Sequence, residues 1–397
     1  FKINQIDYIL AFSNSKVCTT ILDVISPTLN YEVAHIKSLP IKFERIDDIT
    51  NVSVMSQILC KEEWNSRETS WDFQQNELIR CKSNCGQNCA DLDMLTDDDR
   101  NEILNGASLP TNSNLLEDCY TAYMLEWRRK FFHLHGNEEE LNRQFIEIYG
   151  LQDELTPDVL LEENTILKEE TSIENGDLVF HAEKVLAQFI SYSVGCMFGR
   201  YSLNKESLII ANQGETVNDF EDKITEGRVY FEPIEGSSAV NVHFPKITYY
   251  PDEDNIIPIL EDEWFEDDIV ARFYKFLKVT FGEEFFNKNL AFIEEKIGKD
   301  IRKYFIREFY ADHIKRYKKR PIYWMFSSPK GSFNALIYMH RYTPDTVSNI
   351  LNKYLKEFMG KLKTRKEYLQ HVQVTGSASD INKAIKEIDP IDKILIE

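Results

Sequence analysis

The 397-residue sequence lacks several patterns that would assign it to a well-defined class of proteins. No apolar run approaches the roughly 18 residues that a membrane-spanning helix needs, so we expect no membrane segment. No signal-peptide pattern follows Phe1, and seven cysteines, an odd number, are typical of reduced thiols in a cytoplasmic protein. Because the chain begins at Phe1 rather than at a methionine, we expect it to be a piece of a longer protein.

The common motifs of nucleotide binding and of hydrolysis are also missing. There is no GxGxxG after a strand, no GxxxxGK[ST], no GxSxG and no HExxH. The spacing of Gly195 and Gly199 resembles a phosphate-binding loop only superficially. We interpret this segment as a point of close packing between a helix and the following loop, with Arg200 beside it.

Two groups of residues have spacings that metal sites can use. Cys81, Cys85 and Cys89 would share one face of a helix, but structural zinc sites usually contain shorter C-x-x-C pairs. His133 and His135 precede a glycine, and histidines often end helices because a cation is stabilised near the C-terminal end of the helix dipole. We therefore predict no metal site, three thiols that act as small apolar side chains, and a helix that ends directly after His135.

The charge of the chain is strongly uneven along its length. The whole sequence contains 46 Lys and Arg against 66 Asp and Glu, and its net charge of −20 is unusual for a protein that binds nucleic acid. Residues 299–366 nevertheless contain 17 Lys and Arg and only 5 Asp and Glu, a local charge of +12. Such a split predicts one surface that faces a polyanion and others that repel it. The alternative is an ordinary pair of basic helices with solvated lysines.

Cations and aromatic residues are interleaved in this basic segment, as they are in many nucleic-acid-binding proteins. Several cations on one strand-and-turn unit can neutralise phosphates, which releases counterions and makes binding depend on salt. Phosphate contacts are expected to outnumber contacts with base edges. Burial in the core is the simpler explanation for at least one of Trp324 and Phe326. The candidate DNA-binding residues are Lys315, Arg316, Lys318, Lys319, Arg320, Tyr323, Lys330 and Arg341.

The apolar pattern predicts an α+β fold that is rich in helices. Two apolar runs, 321–326 and 333–339, flank a turn and predict a β-hairpin, which a long final helix follows. The Glu-rich residues 161–177 are typical of a linker or a solvated face. Helices are expected at 6–25, 97–104, 115–132, 141–149, from 156 onwards, and at 181–197, 269–280, 298–317 and 346–370. Further strands are expected at 29–33, 245–250 and 255–260.

Several blocks of this sequence resemble one known family. Residues 319–328 (KRPIYWMFSS) and 333–342 (FNALIYMHRY) closely resemble the C-terminal region of the adenine-specific DNA methyltransferases of bacterial phage-exclusion (BREX) systems. Further blocks that resemble the same family are 63–73 (EWNSRETSWDF), 190–203 (ISYSVGCMFGRYSL), and NSK at 14–16 with SPTLN at 26–30. The blocks extend in order over most of the chain, so the resemblance is specific.

The resemblance implies an S-adenosylmethionine-dependent N6-adenine methyltransferase that marks host DNA, with target-recognising domains after the catalytic domain. It also implies double-stranded DNA and other subunits of the defence complex as partners. The family's catalytic tetrapeptide, [DNS]-P-P-[YF], holds the flipped adenine, and this chain contains no Pro-Pro pair at all. The cofactor loop F-x-G-x-G is missing too. We therefore expect the chain to bind no S-adenosylmethionine and to be inactive by itself.

The resemblance also suggests three parts. Residues 1–45 would end a target-recognition module, 46–177 would form an acidic helical region, and 178–397 would form a mixed α/β C-terminal domain with the basic segment 299–366. The predicted function is target recognition and clamping of DNA. Two alternatives stay open: the specificity half of a fused restriction-methylation enzyme, and a scaffold that docks defence-complex partners without binding DNA.

Overall fold

The computed structural model describes residues 3–26, 30–84, 112–226, 230–233, 240–243 and 246–397. These residues form an α+β fold with many helices and small antiparallel sheets, which confirms the predicted fold class. Within these ranges, no helix combines the length and the apolar character needed to cross a membrane.

The backbone contacts divide the chain into two compact units. The first unit comprises the described residues of Phe1–Trp71, Cys81–Asn112 and Asp118–Lys184. The second unit comprises those of Asp72–Arg80, Ser113–Glu117 and Val185–Glu397. The three-part division suggested by the resemblance concerns functional domains and stays a prediction.

Helices account for most of the described chain. In chain order they are α1 (Ile3–Ser13), α2 (Lys16–Ile25), α3 (Val33–Lys37), α4 (Ile46–Asn65), α5 (Glu77–Asn84), α6 (Leu116–Tyr149), α7 (Ala182–Met197), α8 (Val217–Thr225), α9 (Ile269–Phe281), α10 (Phe286–Ile297), α11 (Ile301–Arg307), α12 (Phe309–Arg316), α13 (Thr346–Asn349), α14 (Lys356–Thr375) and α15 (Ala378–Ile396). A π-helical turn, Ile350–Leu355, joins α13 to α14.

The strands are short and pair antiparallel. They are β1 (Thr171–Glu174), β2 (Asp177–Phe180), β3 (Tyr230–Pro233), β4 (Val240–His243), β5 (Ile257–Pro258), β6 (Tyr323–Ser327) and β7 (Asn334–Tyr338). β1 pairs with β2, β3 pairs with β4, and the third sheet has the order β5–β7–β6. The predicted hairpin is confirmed: β6 and β7 pair from Tyr323 opposite Tyr338 to Ser327 opposite Asn334.

The core of the first unit lies between α1, α2, α4 and the C-terminal half of α6. Phe12 is fully buried there and packs edge-on against Phe145, with 5.5 Å between the ring centroids. The single helix predicted at 6–25 is two helices, because the Ser15 hydroxyl caps a new helix by accepting a hydrogen bond from the N–H of Cys18.

The helix end predicted after His135 is wrong, because α6 passes through this position. The helix continues to Tyr149 because Leu134, Leu141 and Phe145 recur at helical spacing and are all buried. A favourable interaction of a histidine with the helix dipole is small beside the burial of such an apolar stripe.

Two other predictions in the first unit are wrong, and a third is wrong in one of its alternatives. Residues 30–32 are irregular where a strand was expected, and 33–37 form α3. No helix starts at 156, and residues 155–160 have no regular secondary structure. The N–H of Val159 donates to the Glu139 carboxylate instead of to a helical carbonyl. Residues 161–177, predicted to be a linker or a solvated face, contain the strand β1 of a hairpin and so are no linker, whereas the exposed Glu162, Glu163 and Glu169 agree with a solvated face. The helix predicted at 97–104 lies outside the described residues.

The helices predicted at 181–197, 269–280 and 346–370 are confirmed, and the last continues to Thr375. It is not the final helix, however, because α15 (Ala378–Ile396) follows it. The helix predicted at 298–317 is instead α11 and α12, and the Asp300 carboxylate caps the first of these. Residues 246–250 form no strand, because the Asn204 side chain hydrogen-bonds the backbone of this segment. The run predicted at 255–260 is buried and contains β5.

Candidate nucleic-acid interface

A basic turn, defined here as residues 315–320, connects α12 to β6. Its backbone folds back onto the end of α12: the N–H of Lys319 donates to the carbonyl of Ile314 at 2.8 Å, and that of Lys318 to the carbonyl of Lys315 at 3.0 Å. The exposed side chains of the turn are Lys315, Lys318, Lys319 and Arg320, and Arg316 is half-buried. Five of the candidate residues therefore lie in one short surface turn.

The exposed cations of the basic turn keep their charge uncompensated. Among the residues that the structure describes, no carboxylate lies within 4.0 Å of the charged groups of Lys315, Lys318, Lys319 and Arg320. Some other cations of the segment 299–366 are paired, as Arg302 is with Asp268 and Arg365 with Glu387, both at 2.6 Å. Others, such as the exposed Lys303, Lys356 and Lys363, form no ion pair with a described carboxylate. What distinguishes the turn is that four exposed cations without a described carboxylate partner lie within six residues.

The backbone of the basic turn is strained. Lys318 and Lys319 have φ angles of 49° and 65°, in the left-handed region. For a residue with a Cβ atom this conformation costs about 1–2 kcal/mol, and glycine is the usual occupant at helix ends. Strain of this kind concentrates at functional sites. Two consecutive lysines in this conformation indicate that the side chains themselves have a role.

We expect Lys319→Gly to change stability and DNA binding in opposite directions. Removing the Cβ should raise the free energy of unfolding by about 0.5–1 kcal/mol, because the relief of strain exceeds the added entropy of the unfolded chain. Losing one cation should weaken DNA binding and lower its salt slope by about one. Urea denaturation and fluorescence anisotropy measure the two effects.

Lys319→Ala is the matched control for this substitution. It removes the same charge but keeps the strain, so it should weaken DNA binding as much as Lys319→Gly without raising the stability. Equal stability of the two variants would contradict the assignment of strain to this position.

The side chain of His313, in helix α12, forms hydrogen bonds with the backbone at the start of the hairpin. Its side chain is completely buried, and its Nε2 atom accepts hydrogen bonds from the N–H groups of Ile322 and Tyr323, both at 3.1 Å. Accepting with Nε2 requires the neutral ring with its proton on Nδ1. Burial, together with the positive charges of Arg316 and Arg200, lowers the pKa of His313 to about 3. The ring is therefore a permanent acceptor at neutral pH.

Two of the candidate residues lie in the interior instead. Tyr323 is fully buried, and its ring stacks on Phe198 with 5.3 Å between centroids. Arg341 is 6% exposed, donates to the carbonyl of Glu253 at 2.9 Å, and has a pKa lowered by burial. Because neither side chain reaches the surface, we leave both out of the proposed DNA-facing surface.

Lys330 is exposed, but it lies in the turn between β6 and β7, at the opposite end of β6 from the basic turn. The carboxylate of Glu397 binds this hairpin turn by accepting from the hydroxyls of Ser328 and Ser332, both at 2.6 Å, and from the N–H of Lys330. These hydrogen bonds lower the pKa of Glu397 to about 2, so the group is ionised at neutral pH. Lys330 is therefore a weaker candidate for a phosphate contact than the basic turn.

Gly195 provides the close packing predicted between α7 and the following loop. A Cβ atom on Gly195 would lie 2.3 Å from Cδ2 of Tyr201, which no side chain could occupy without a shift. Arg200 lies in the same cluster, and donates from Nε to the Tyr201 hydroxyl at 3.0 Å and from Nη1 to the Tyr338 hydroxyl at 3.1 Å. The prediction of a packing point with Arg200 beside it is confirmed.

The described residues offer no grouping of three or more His, Cys, Asp or Glu side chains that could hold a metal ion. Cys81 is buried, whereas Cys85 and Cys89 lie outside the described residues. His135 lies within helix α6, and its Nε2 atom is 2.7 Å from the carbonyl oxygen of Val159. His135 is thus bonded to the neighbouring loop.

Two residues near the basic turn were not among the candidates. His313 precedes its two donors by about ten residues, and no sequence signal marks such an acceptor. Trp324 is 49% exposed, and the one signal that could have identified it is its place next to Tyr323 in a strand, where neighbouring side chains point to opposite faces.

Comparison with known proteins relates almost the entire chain to two curated proteins. The adenine-specific methyltransferase PglX of Lacticaseibacillus casei (strain Zhang) is 31% identical over 405 residues, which cover 97% of this chain and 28% of that protein. The adenine-specific methyltransferase BrxX of Escherichia coli O9:H4 (strain HS) is 29% identical over 404 residues, which cover 97% of this chain and 29% of that protein. No protein-family model matches the chain.

The chain spans less than a third of the length of these two relatives. It is homologous to one region of each, and this homology confirms the resemblance that the sequence blocks indicated.

Proposed function

We propose that this chain is the DNA-engaging, non-catalytic part of an S-adenosylmethionine-dependent N6-adenine DNA methyltransferase of the BREX type. The homology to two adenine-specific methyltransferases supports the general class of the parent protein. The basic turn is the observation that carries the proposal for this particular region. Its four exposed cations lack carboxylate partners among the described residues and are held on a strained, anchored backbone.

In this proposal the basic turn binds the phosphate backbone of double-stranded DNA. The side chains that contribute are Lys315, Arg316, Lys318, Lys319 and Arg320, with Lys330 as a secondary contact. Phosphate contacts orient a protein on the duplex but do not read its sequence, so base recognition requires other groups. The acidic remainder of the chain repels the polyanion and so favours binding through this one surface.

Methyl transfer would take place elsewhere in the parent protein. The sequence of this chain contains neither a Pro-Pro pair nor an F-x-G-x-G loop, so we assign it no catalytic residue and no S-adenosylmethionine site. Incubation of the chain with labelled S-adenosylmethionine and DNA tests this assignment directly, because labelled DNA would contradict it.

We expect the purified chain to bind a mixed-sequence duplex with an affinity that falls steeply between about 50 mM and about 200 mM salt. Fluorescence anisotropy measures this affinity. Reversing three charges of the turn, in Lys318→Glu/Lys319→Glu/Arg320→Glu, should weaken binding at least about tenfold and reduce the salt slope by about three. The reason is that each phosphate contact contributes roughly one released counterion.

A second triple variant with the same total charge provides the control. Lys303→Glu/Lys356→Glu/Lys363→Glu also reverses three exposed lysines of the segment 299–366, but leaves the basic turn intact. Binding that falls equally in both variants would show a general effect of net charge and contradict a site at the turn. Unchanged binding in the first variant would refute the proposed surface.

Exposed apolar side chains in the first unit favour a second candidate function, the docking of other subunits of the defence complex. Helices α1 and α4 pack together, and they leave Ile6 59%, Met55 43% and Ile58 43% exposed. Apolar groups of this kind on paired helices are typical of surfaces that bind protein. If the chain retains defence-complex subunits after DNase treatment and has no affinity for DNA at low salt, this function replaces the first.

A further inference from the structure

The indole of Trp324 is exposed next to the basic turn. Residues 321–322 link the turn to β6, and Trp324 is the second residue of that strand. The Cα atoms of Arg320 and Trp324 are at most about 14 Å apart, because four residues of extended chain span no more. The indole and the cations of the turn can therefore reach the same stretch of a bound nucleic acid.

The position of Trp324 follows from the sheet. In the order β5–β7–β6, strand β6 has a neighbour on one side only among the described strands. Tyr323 and Trp324 point to opposite faces of β6, and the face of Tyr323 is covered by Phe198 and His313. Trp324 lies on the other face, opposite Ile337, and remains 49% exposed.

The core does not account for Trp324. Phe326 lies on the same face of β6 and packs against the buried cluster that includes Phe333 and Phe358. Trp324 is not part of this cluster, and its ring stacks on no aromatic ring of the described residues. Half of a large apolar side chain thus stays in water beside uncompensated cations.

We propose that Trp324 stacks on an unpaired or unstacked base of the DNA whose phosphates the basic turn binds. The inference rests on the proposed function and adds a second kind of contact to it. Cations that bind phosphates together with an aromatic ring that stacks on a base are the combination with which proteins bind unpaired, single-stranded nucleic acid without sequence preference. The charge of the turn selects a polyanion, and the flat face of the indole selects a ligand with exposed aromatic faces.

Stacking and phosphate binding respond differently to salt, and this difference tests the proposal. A stacked ring releases no counterions, so Trp324→Ala should weaken binding by the same factor at every salt concentration and leave the slope unchanged. The expected loss is about 5- to 100-fold on a duplex that carries a single bulged base. On a fully paired duplex, which exposes no internal base face, the loss should be smaller.

Three further variants separate stacking from folding. Trp324→Phe keeps an aromatic ring and should retain most of the preference for the bulged duplex, whereas Trp324→Leu keeps apolar volume and should lose it. Trp71→Ala removes a tryptophan of the first unit that is 96% exposed, and should bind like the unaltered chain. Thermal melts followed by circular dichroism establish that the variants are folded.

The outcomes distinguish this inference from the proposed function. If Trp324→Leu is folded and keeps the full affinity and the preference for the bulged duplex, the stacking contact is refuted. In that case, the loss of binding in the triple charge reversal of the basic turn would still support the phosphate-binding surface. If the triple charge reversal itself binds like the unaltered chain, the proposed function is refuted.

Discussion

Replacing Arg67 by methionine is expected to lower the free energy of unfolding of the first unit by about 3–5 kcal/mol. Nη2 of Arg67 lies 2.7 Å from Oε1 of Glu170, whose side chain is only 1% exposed. Glu63 also pairs with Arg67, and the Tyr123 hydroxyl donates to Glu170 at 2.9 Å. Without the guanidinium, the Glu170 carboxylate would remain buried and uncompensated, which is the costly way to break a buried ion pair.

The protonation of Glu170 limits this loss. Burial raises the pKa of the Glu170 carboxyl, while Arg67 and the Tyr123 hydroxyl stabilise the carboxylate and oppose that rise. In Arg67→Met the carboxyl can take up a proton instead of remaining charged, so the destabilisation should be greatest at high pH and smaller at pH 5. Hydrogen exchange followed by mass spectrometry reports the loss separately for peptides of the first unit.

The double variant Arg67→Met/Glu170→Leu is the control for this network. Replacing both partners of a buried pair by apolar groups is often nearly neutral, so the double variant should be clearly more stable than Arg67→Met alone. If the two variants are equally unstable, the cost comes from lost packing around Arg67 and not from an uncompensated charge.

Replacing His313 by alanine is expected to lower the free energy of unfolding of the second unit by about 2–4 kcal/mol. The backbone N–H groups of Ile322 and Tyr323 would lose their common acceptor, and the volume of a buried ring would become a cavity. The same change should weaken DNA binding, because the imidazole connects the basic turn to β6. Urea denaturation at neutral pH and anisotropy measure the two losses.

His313 also makes stability depend on pH. Its pKa is about 3 in the folded protein, whereas an exposed histidine in the unfolded chain has a pKa near 6.5. Below about pH 6.5, His313 binds a proton in the unfolded chain but stays neutral in the folded protein. The free energy of unfolding therefore falls as the pH is lowered through this range. The expected loss between pH 6.5 and pH 5 is about 1.5–2 kcal/mol, and the pH dependence from this residue vanishes only above about pH 7.5, where the unfolded histidine is also neutral.

His313→Gln isolates that contribution. Glutamine offers a carbonyl oxygen as acceptor but has no ring to protonate, so its unfolding free energy should fall less between pH 6.5 and pH 5. The comparison with the unaltered chain is needed because burial lowers the pKa of His340 as well. Parallel pH profiles for the two proteins would contradict the assignment to His313.

The sequence by itself determined the fold class, the hairpin and the site of concentrated positive charge. These features depend on properties that are local in the chain: the apolar runs 321–326 and 333–339, the turn residues between them, and the excess of cations in 299–366. The blocks of family resemblance are local in the same sense, and the homology to PglX and BrxX confirmed them. The same local patterns failed at the end of α6, where burial of Leu141 and Phe145 outweighs the effect of the histidines.

Only the tertiary structure decided which side chains of the basic segment reach the surface. Tyr323 and Trp324 are adjacent aromatic residues in the sequence, but Phe198 and His313 cover the first and leave the second half-exposed. Arg341 is an arginine of the same segment as Arg320, yet it lies inside and donates to the carbonyl of Glu253. Neighbouring side chains of a strand point to opposite faces of the sheet. Which of the two faces is covered depends on residues that are distant in the sequence, and their positions are set by tertiary packing.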